Sequence, residues 1–253
     1  MNLYLIIALA LFAYMAIWYA IALIKKRNDV ADVAWGLGFV FLAWLVFYLS
    51  GGNDRALIVN SLVTVWGLRL AWHIHARNHG KPEDFRYAQW RIEWKHFYLR
   101  SFLQVFMLQG VFLFVTIWPV LFINISVPEP FQWLDVAGVS LWLLGFYFES
   151  AGDYQLKQFK KIPANKGKFI TTGLWRYSRH PNYFGEAVQW WGIFLFALAM
   201  PGGWITAAGP IVITYLLRYV SGVPMLERRY EGNEKFEAYK KKTSVFFPLP
   251  EGL

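Results

Sequence analysis

One short polar segment stands out in a sequence that is otherwise rich in apolar residues. It is RYSRHPNYFGE, residues 176–186, which contains Arg176, Tyr177, Arg179, His180, Asn182 and Glu186. Arginine binds phosphate, aromatic rings stack on bases, and asparagine or glutamate can hydrogen-bond an amide or a ribose. Because Pro181 disfavours a helical conformation at the residue before it, we expect a bend at His180. The segment predicts a site for a phosphorylated or sulfonium-bearing cofactor, although a basic loop could also serve only to orient a membrane protein.

Two pairs of carboxylates have the spacing of one helix face. Glu149 and Asp153 are four residues apart, so their charges repel unless donors separate them. A ligand's hydroxyl groups could supply those donors, and so could an ion pair with the nearby basic loop. Asp29 and Asp32 are three residues apart and precede an apolar run. They could act in catalysis or simply interact with the positive end of a helix dipole.

A second dense segment is ARNHGKPEDFRYAQWR, residues 76–91. It contains the turn-forming sequence Gly80-Lys81-Pro82, followed by Arg86 and Tyr87. Other known site patterns are missing from the sequence, which has no cysteine, no P-loop, no G-x-S-x-G and no G-x-G-x-x-G. His75 and His79 have a metal-like spacing, but no further ligand motif repeats, so no metal site is predicted.

The elements that must position these side chains are predicted to be membrane-spanning helices. Hydrophobic residues make up 57% of the 253 residues and charged residues only 16%, which is unlike an ordinary soluble domain. A span needs about 20 apolar residues. Seven stretches qualify: 2–24, 30–50, 56–76, 101–124, 132–156, 184–200 and 203–222. The first stretch lacks a basic n-region and a cleavage site, so we expect it to be retained.

The distribution of positive charge predicts the topology. The net charge is +9, and the basic residues follow the first, third, fifth and seventh stretches, whereas the other connectors carry only Arg55. By the positive-inside rule, the N-terminus lies outside and the C-terminus in the cytoplasm. We therefore predict an all-α, polytopic membrane protein of about seven transmembrane helices, in one integral membrane domain. The same distribution argues against nucleic acid as the partner.

The sequence resembles the steroid 5-alpha-reductase family, in particular its bacterial membrane branch. The matching stretches are NDVADVAWGLGF (28–39), RNHGKPEDFRY (77–87), GDYQLKQFK (152–160), TTGLWRYSRHPNYFGE (171–186) and SGVPMLERRY (221–230) with FEAYKKKTSVFFPLP (236–250). The resemblance implies an NADPH-dependent reductase of the bacterial inner membrane, with a cytoplasm-facing cofactor site and a hydrophobic, steroid-like or isoprenoid lipid substrate. It also implies substrate-side residues in 1–125 and a cofactor-binding half in 126–253.

The resemblance also assigns roles to individual residues. It implies cofactor contacts from Asn78, Lys81, Asp153, Lys168, Tyr177, Asn182, Glu186 and Arg218. The sequence departs from the family's pattern at two positions: Glu149 stands where the family has asparagine, and the family's third-span tyrosine has no match near Trp66. These departures bear on the identity of the substrate more than on that of the cofactor. Residue chemistry adds Arg86, Arg176, Arg179, His180 and Glu149 to the cofactor set. Either Tyr87 or a protonated Asp32 is expected to stabilise the substrate's developing enolate.

Two other function classes remain open at the sequence level. The RHPNYFGE motif is also similar to membrane isoprenylcysteine and phospholipid methyltransferases, which implies S-adenosylmethionine as the alternative cofactor. A transporter or scaffold is disfavoured, because the sequence has no internal repeat and its polar residues lie at one membrane face. The oligomeric state is not predicted.

Overall fold

The computed structural model describes residues 3–250, and within that range it contains helices and loops but no β-strand. The helical class predicted from the sequence is therefore confirmed. The chain separates into two compact units, Met1–Phe131 and Gln132–Leu253. The sequence analysis predicted one membrane domain and divided it by role between residues 125 and 126, and that division stays a prediction.

The first unit is organised around its second helix, which packs against the first, third, sixth and seventh helices of the unit. The helices of this unit are α1 (Leu3–Lys25), α2 (Val30–Ser50), α3 (Asp54–Asn78), α4 (Phe85–Glu93), α5 (Phe97–Arg100), α6 (Leu108–Thr116) and α7 (Trp118–Ile125). A π-helical segment, Ser101–Met107, joins α5 to α6. The stretch 101–124 was predicted as one span, but the helix is interrupted at Ile117. Proline lacks an N–H group, so Pro119 favours a new helix start at this position.

The second unit is built on the pair formed by its first two long helices. Its helices are α8 (Trp133–Lys161), α9 (Pro181–Leu198), α10 (Ala208–Tyr215), α11 (Val223–Glu227) and α12 (Glu234–Lys242). A π-helical segment, Leu216–Val220, follows α10. In the pair, α8 and α9 lie along each other over much of their length.

Glycine makes this close helix pair possible. Gly138, Gly145 and Gly152 recur every seven residues on α8, and Gly185 and Gly192 do so on α9. A Cβ atom at Gly185 would lie 2.4 Å from the Gly145 carbonyl oxygen and 2.4 Å from the Glu149 nitrogen. Small residues allow backbones to approach closely, as is common between membrane helices. The heptad spacing keeps these glycines on one face along the helix pair.

Five helical segments are long and apolar enough to cross a membrane, so the chain is described as an integral membrane protein. They are Leu3–Lys25, Val30–Ser50, Asp54–Asn78, Phe97–Thr116 and Gly203–Tyr230. The two other predicted spans correspond to α8, which carries several charges, and α9, whose first turns contain polar residues such as Asn182 and Glu186. The count of seven and the orientation of the termini therefore stay predictions.

We predict that Gly185→Ala destabilises the protein, because the atoms that a new Cβ would meet belong to the rigid α8 backbone. Overpacking of this kind costs about 1–3 kcal/mol of unfolding free energy. Thermal unfolding of the purified protein in detergent measures the loss. Gly110→Ala is the matched control, because its Cβ would first meet the flexible Met15 side chain at 3.2 Å. Equal unfolding midpoints for the two variants would contradict the close contact.

Candidate functional site

The first unit brings together three of the predicted site residues at the start of α2. Asp32 lies in the first turn of α2, and its two carboxylate oxygens face two donors from α4. The Tyr87 hydroxyl donates to Asp32 Oδ1 at 2.6 Å, and Arg86 Nη2 donates to Oδ2 at 2.7 Å. The phenol, the carboxylate and the guanidinium thus form one connected group.

The surroundings of Tyr87 keep its hydroxyl protonated. The side chain is buried in a cluster that includes Ala31 and Phe106, with Trp90 packed against it. Burial raises the pKa of Tyr87 well above its ordinary value, and the neighbouring Asp32 carboxylate raises it further. Burial is the largest influence on the pKa of Arg86 and lowers it, but Asp32, Tyr87 and Asp84 together outweigh burial, so the pKa of Arg86 is raised. This group therefore contains a neutral phenol and a permanent cation.

A reciprocal pair of hydrogen bonds fixes α4 against the turn between α1 and α2. The Glu83 side chain accepts from the backbone N–H of Asn28 at 2.5 Å, and the Asp29 side chain accepts from the backbone N–H of Asp84 at 3.2 Å. Arg27 also donates twice to Asp29, at 2.6 Å from Nε and from Nη2. We call this arrangement the α1–α2 clasp. It holds the start of α4, and with it Arg86 and Tyr87, beside Asp32.

Two of the predicted cofactor residues, Asn78 and Lys81, take part in the clasp. Asn78 Nδ2 donates to Asp29 at 3.3 Å, so the Asn78 amide contributes to the clasp. Lys81 contributes its carbonyl oxygen, which accepts from Arg27 Nη1 at 3.3 Å, while its side chain is exposed. The sequence analysis considered the helix dipole as the reason for Asp29 and Asp32. In the structure both side chains bond to the segment 78–87.

In the second unit, the carboxylates of α8 meet amides of α9. Asn182 Nδ2 donates to Asp153 Oδ1 at 3.0 Å, and Gln189 Nε2 donates to Glu149 Oε2 at 2.5 Å. Glu149, Asp153 and Glu186 are all buried. Asn182 and Gln189 of α9 thus supply hydrogen-bond donors to the two carboxylates, which are four residues apart on α8. Asn182 and Glu186 are one helical turn apart on α9, as predicted.

Arg179 and His180 are bound to the C-terminal part of the unit. Arg179 Nε and His180 Nε2 both lie 2.9 Å from Glu227 Oε1. Arg179 Nη1 donates to the carbonyl oxygens of Lys240 and Thr243 at 3.1 and 3.0 Å. Arg179 Nη2 also donates to Glu227 Oε2 at 3.4 Å, so four of the five guanidinium N–H groups are used within the protein. The structure places Arg179 as a brace between the motif and the C-terminal segment.

The C-terminal segment lies against the RYSRHPNYFGE motif along several residues. Ser178 Oγ donates to the Phe246 carbonyl at 2.8 Å, and the Leu249 N–H donates to the Tyr177 carbonyl at 3.0 Å. The Tyr239 hydroxyl donates to the Trp175 carbonyl. The motif backbone is thereby held in place, while the side chains of Arg176, Tyr177 and Lys168 stay exposed. Arg218 is half-buried, with its guanidinium 4.7 Å from the ring centre of Tyr219.

The motif presents two buried acceptors suited to a ligand. His180 Nδ1 and Asn182 Oδ1 are buried and have no hydrogen-bond partner among residues 3–250. Because His180 Nε2 faces a carboxylate, its proton is assigned to that nitrogen and Nδ1 is left as an acceptor. Two acceptors next to exposed cations fit a ligand that combines N–H or O–H donors with phosphate groups. NADPH has both kinds of group.

Sequence reasoning missed several residues that build these clusters. They are Arg27, Glu83, Gln189, Glu227 and the glycines of α8 and α9. The seven-residue glycine spacing was a usable signal in the sequence. The partners Glu83 and Glu227 gave no such signal, since Glu227 lies 47 residues from His180. Among residues 3–250, no three metal-binding side chains come together.

Comparisons with known proteins agree on one family. A family model described as "Protein of unknown function (DUF1295)" matches residues 18–243. The bovine (Bos taurus) 3-oxo-5-alpha-steroid 4-dehydrogenase 1 is 29% identical over 122 residues, which are 47% of this chain and 44% of that protein. The human (Homo sapiens) protein of the same name is 32% identical over 117 residues, 44% of this chain and 40% of that protein.

One similarity extends over nearly the whole chain. An uncharacterized protein of Schizosaccharomyces pombe is 26% identical over 270 residues, which cover 92% of this chain and 76% of that protein. By contrast, the chain spans less than half the length of the steroid dehydrogenases that it matches. No solved structure matches the chain.

We predict that Asp29→Asn loosens the α1–α2 clasp. The change leaves Arg27 without its counter-charge and weakens the acceptor for the Asp84 N–H, which costs about 1–3 kcal/mol of unfolding free energy. Thermal unfolding gives the total loss, and faster hydrogen exchange at the Asp84 amide locates it. Asp54→Asn, at an exposed position in the first turn of α3, is the control. Unchanged exchange at Asp84 would argue against the clasp.

We predict an acid-sensitive contribution from His180. Burial lowers its pKa below the ordinary value, and Glu227 only partly offsets this. Since the unfolded pKa is about 6.5, protonation favours the unfolded chain. The stability contributed by neutral His180 is therefore present above that pH and is lost as the pH falls through the folded pKa. Unfolding midpoints measured from about pH 7.5 to 5 should fall less steeply in His180→Gln than in the wild type.

The exposed histidine His75 provides the control for this measurement. His75→Gln should keep the slope of the wild type, because no buried group is removed. If His180→Gln and the wild type lose stability in parallel, the acid sensitivity comes from other groups.

Proposed function

The chain belongs to the DUF1295 family and is similar to steroid 5-alpha-reductases, and on that premise we propose that it is a membrane NADPH-dependent reductase. The proposed substrate is a hydrophobic α,β-unsaturated carbonyl compound, steroid-like or isoprenoid, whose C=C bond is reduced. The proposed location is the bacterial inner membrane, with the cofactor site facing the cytoplasm.

The observation that carries this proposal is the buried phenol of Tyr87 beside Asp32 and Arg86. When the C=C bond of an enone accepts hydride, its carbonyl oxygen gains negative charge and needs a hydrogen-bond donor. Tyr87 is neutral, buried and positioned by Asp32 Oδ1 at 2.6 Å. Such a donor acts strongly in a site that excludes water.

Tyr87 suits the donor role better than Asp32 does. Both Asp32 oxygens already accept hydrogen bonds, from Tyr87 and Arg86, so a proton on Asp32 would displace one of these donors. In the proposal, the Tyr87 O–H turns from Asp32 to the substrate oxygen. Arg86 remains at 2.7 Å from Asp32 and keeps its charge compensated.

The cofactor is assigned to the motif of the second unit. NADPH, when bound, supplies the hydride. Its phosphates suit the exposed cations Lys168 and Arg176, and its amide and hydroxyl donors suit His180 Nδ1 and Asn182 Oδ1. Glu149 and Asp153 are held by Gln189 and Asn182 of α9, and Arg179 supports the motif through Glu227. Glu186 is a further proposed contact. Tyr177 and Arg218 of the same unit are further proposed contacts, and the assignment of Asn78 and Lys81 to the cofactor stays a prediction of the resemblance.

We predict that Tyr87→Phe lowers kcat by about 100-fold or more, the usual effect of removing one hydrogen-bond donor to a developing oxyanion. NADPH oxidation is followed with a panel of hydrophobic enones. The heat stabilisation by NADPH should persist in Tyr87→Phe, because that residue is assigned to the substrate. Tyr48→Phe is the control, since Tyr48 is 85% exposed.

The cofactor itself is tested by comparing heat stabilisation by NADPH and by S-adenosylmethionine. The proposal expects NADPH to raise the unfolding midpoint and S-adenosylmethionine to leave it unchanged. Stabilisation by S-adenosylmethionine alone would favour a methyltransferase. No enone turnover together with no stabilisation by NADPH would refute the reductase proposal.

A further inference from the structure

We infer that the first unit contains a binding site for the phosphate group of an anionic membrane lipid, formed where α1 and α3 end and α2 begins. A cavity of about 120 Å³ lies there. The charged and polar residues that line it are Lys25, Arg27, Asp29, His75, Asn78 and His79. One water needs only about 10–15 Å³ of such a space, so the cavity can take a group of several heavy atoms.

The charges around the cavity favour an anion. The Asp29 carboxylate is matched by Arg27 at 2.6 Å and also receives the Asn78 amide and the Asp84 N–H. The charge of Lys25 is left over, because Lys25 forms no ion pair among residues 3–250. His75 and His79 add ring N–H donors at exposed positions. A phosphate would thus meet one uncompensated cation and several hydrogen-bond donors.

The helix ends around the cavity are also compatible with an anion. The first turn of α2, represented by Val30 and Val33, lines the cavity, and the N-terminal end of a helix carries a partial positive charge. The opposite ends of α1 and α3 carry partial negative charge. Some of the carbonyl groups at these ends already accept hydrogen bonds within the protein: the Arg27 N–H donates to the Ala22 carbonyl, and the His79 N–H donates to the His75 carbonyl.

The position of the cavity points to a lipid as the source of the phosphate. The three helices that meet there are all long and apolar enough to span a membrane, so their ends lie at the level of the lipid headgroups. Ile24, directly before Lys25, is 81% exposed, and Trp72, one turn before His75, is 72% exposed. Tryptophan is enriched at membrane interfaces. These two side chains offer an apolar surface for an acyl chain next to the cationic cavity.

The test compares lipid and soluble phosphate on the 253-residue chain in detergent. Phosphatidylglycerol, phosphatidylcholine, inorganic pyrophosphate and NADPH are added separately, and the unfolding midpoint is measured. We expect phosphatidylglycerol to raise the midpoint by about 2–4 °C more than phosphatidylcholine. The difference should fall by at least half in the double variant Lys25→Gln, His79→Gln. It should persist in Lys166→Gln, a matched change of an exposed lysine in the second unit.

Native mass spectrometry of the same samples provides a second measurement that does not depend on stability. The wild type should retain phosphatidylglycerol in a larger fraction of molecules than the double variant does. Equal retention and equal midpoint shifts in the two proteins would overturn the proposal. It would also be overturned if pyrophosphate or NADPH, but not phosphatidylglycerol, showed the dependence on Lys25 and His79, because the cavity would then bind a soluble phosphate.

Discussion

A carboxylate buried at the end of an apolar helix needs donors from elsewhere in the chain, and both units are arranged around this requirement. An uncompensated charge in a low-dielectric region is expensive, whereas a carboxylate that accepts several hydrogen bonds is tolerated. Asp29 and Asp32 obtain their donors mainly from segment 78–87 and from Arg27. Glu149 and Asp153 obtain theirs from α9. The carboxylates thereby fix which distant segments must pack together.

The glycines of α8 and α9 make the second of these arrangements geometrically possible. Asparagine and glutamine side chains are short, so they reach a carboxylate on a neighbouring helix only when the backbones are close. At Gly185 the two backbones approach so closely that a Cβ would lie 2.4 Å from α8 atoms. Gln189 is one turn further along α9 and reaches Glu149 at 2.5 Å. Close packing and polar pairing are therefore two aspects of the same contact.

The sequence predicted the elements and the acidic positions better than it predicted the partners. Hydropathy located the long helices of the first unit, and one of the two interpretations of Asp29 and Asp32 placed them at a helix start, where Asp29 directly precedes α2 and Asp32 lies in its first turn. The interruption at Ile117 was missed, because the apolar run continues through it. The density of basic residues could not distinguish an arginine that faces a ligand from one that braces the fold. That distinction depends on Glu227, which lies 48 residues from Arg179.

The roles of arginine and lysine differ for a physical reason. Four arginines each pair with a carboxylate: Arg27, Arg86, Arg91 and Arg179. Arg86 and Arg179 thereby join segments that are far apart in the sequence, and Arg91 joins residues eight positions apart. A planar guanidinium offers five donors and can bond a carboxylate and a backbone carbonyl together, as Arg179 does. Lysine presents a compact, strongly hydrated charge, and Lys25 and Lys168 are exposed. Arginine therefore supplies the internal braces, and these lysines keep their charge accessible to phosphate groups.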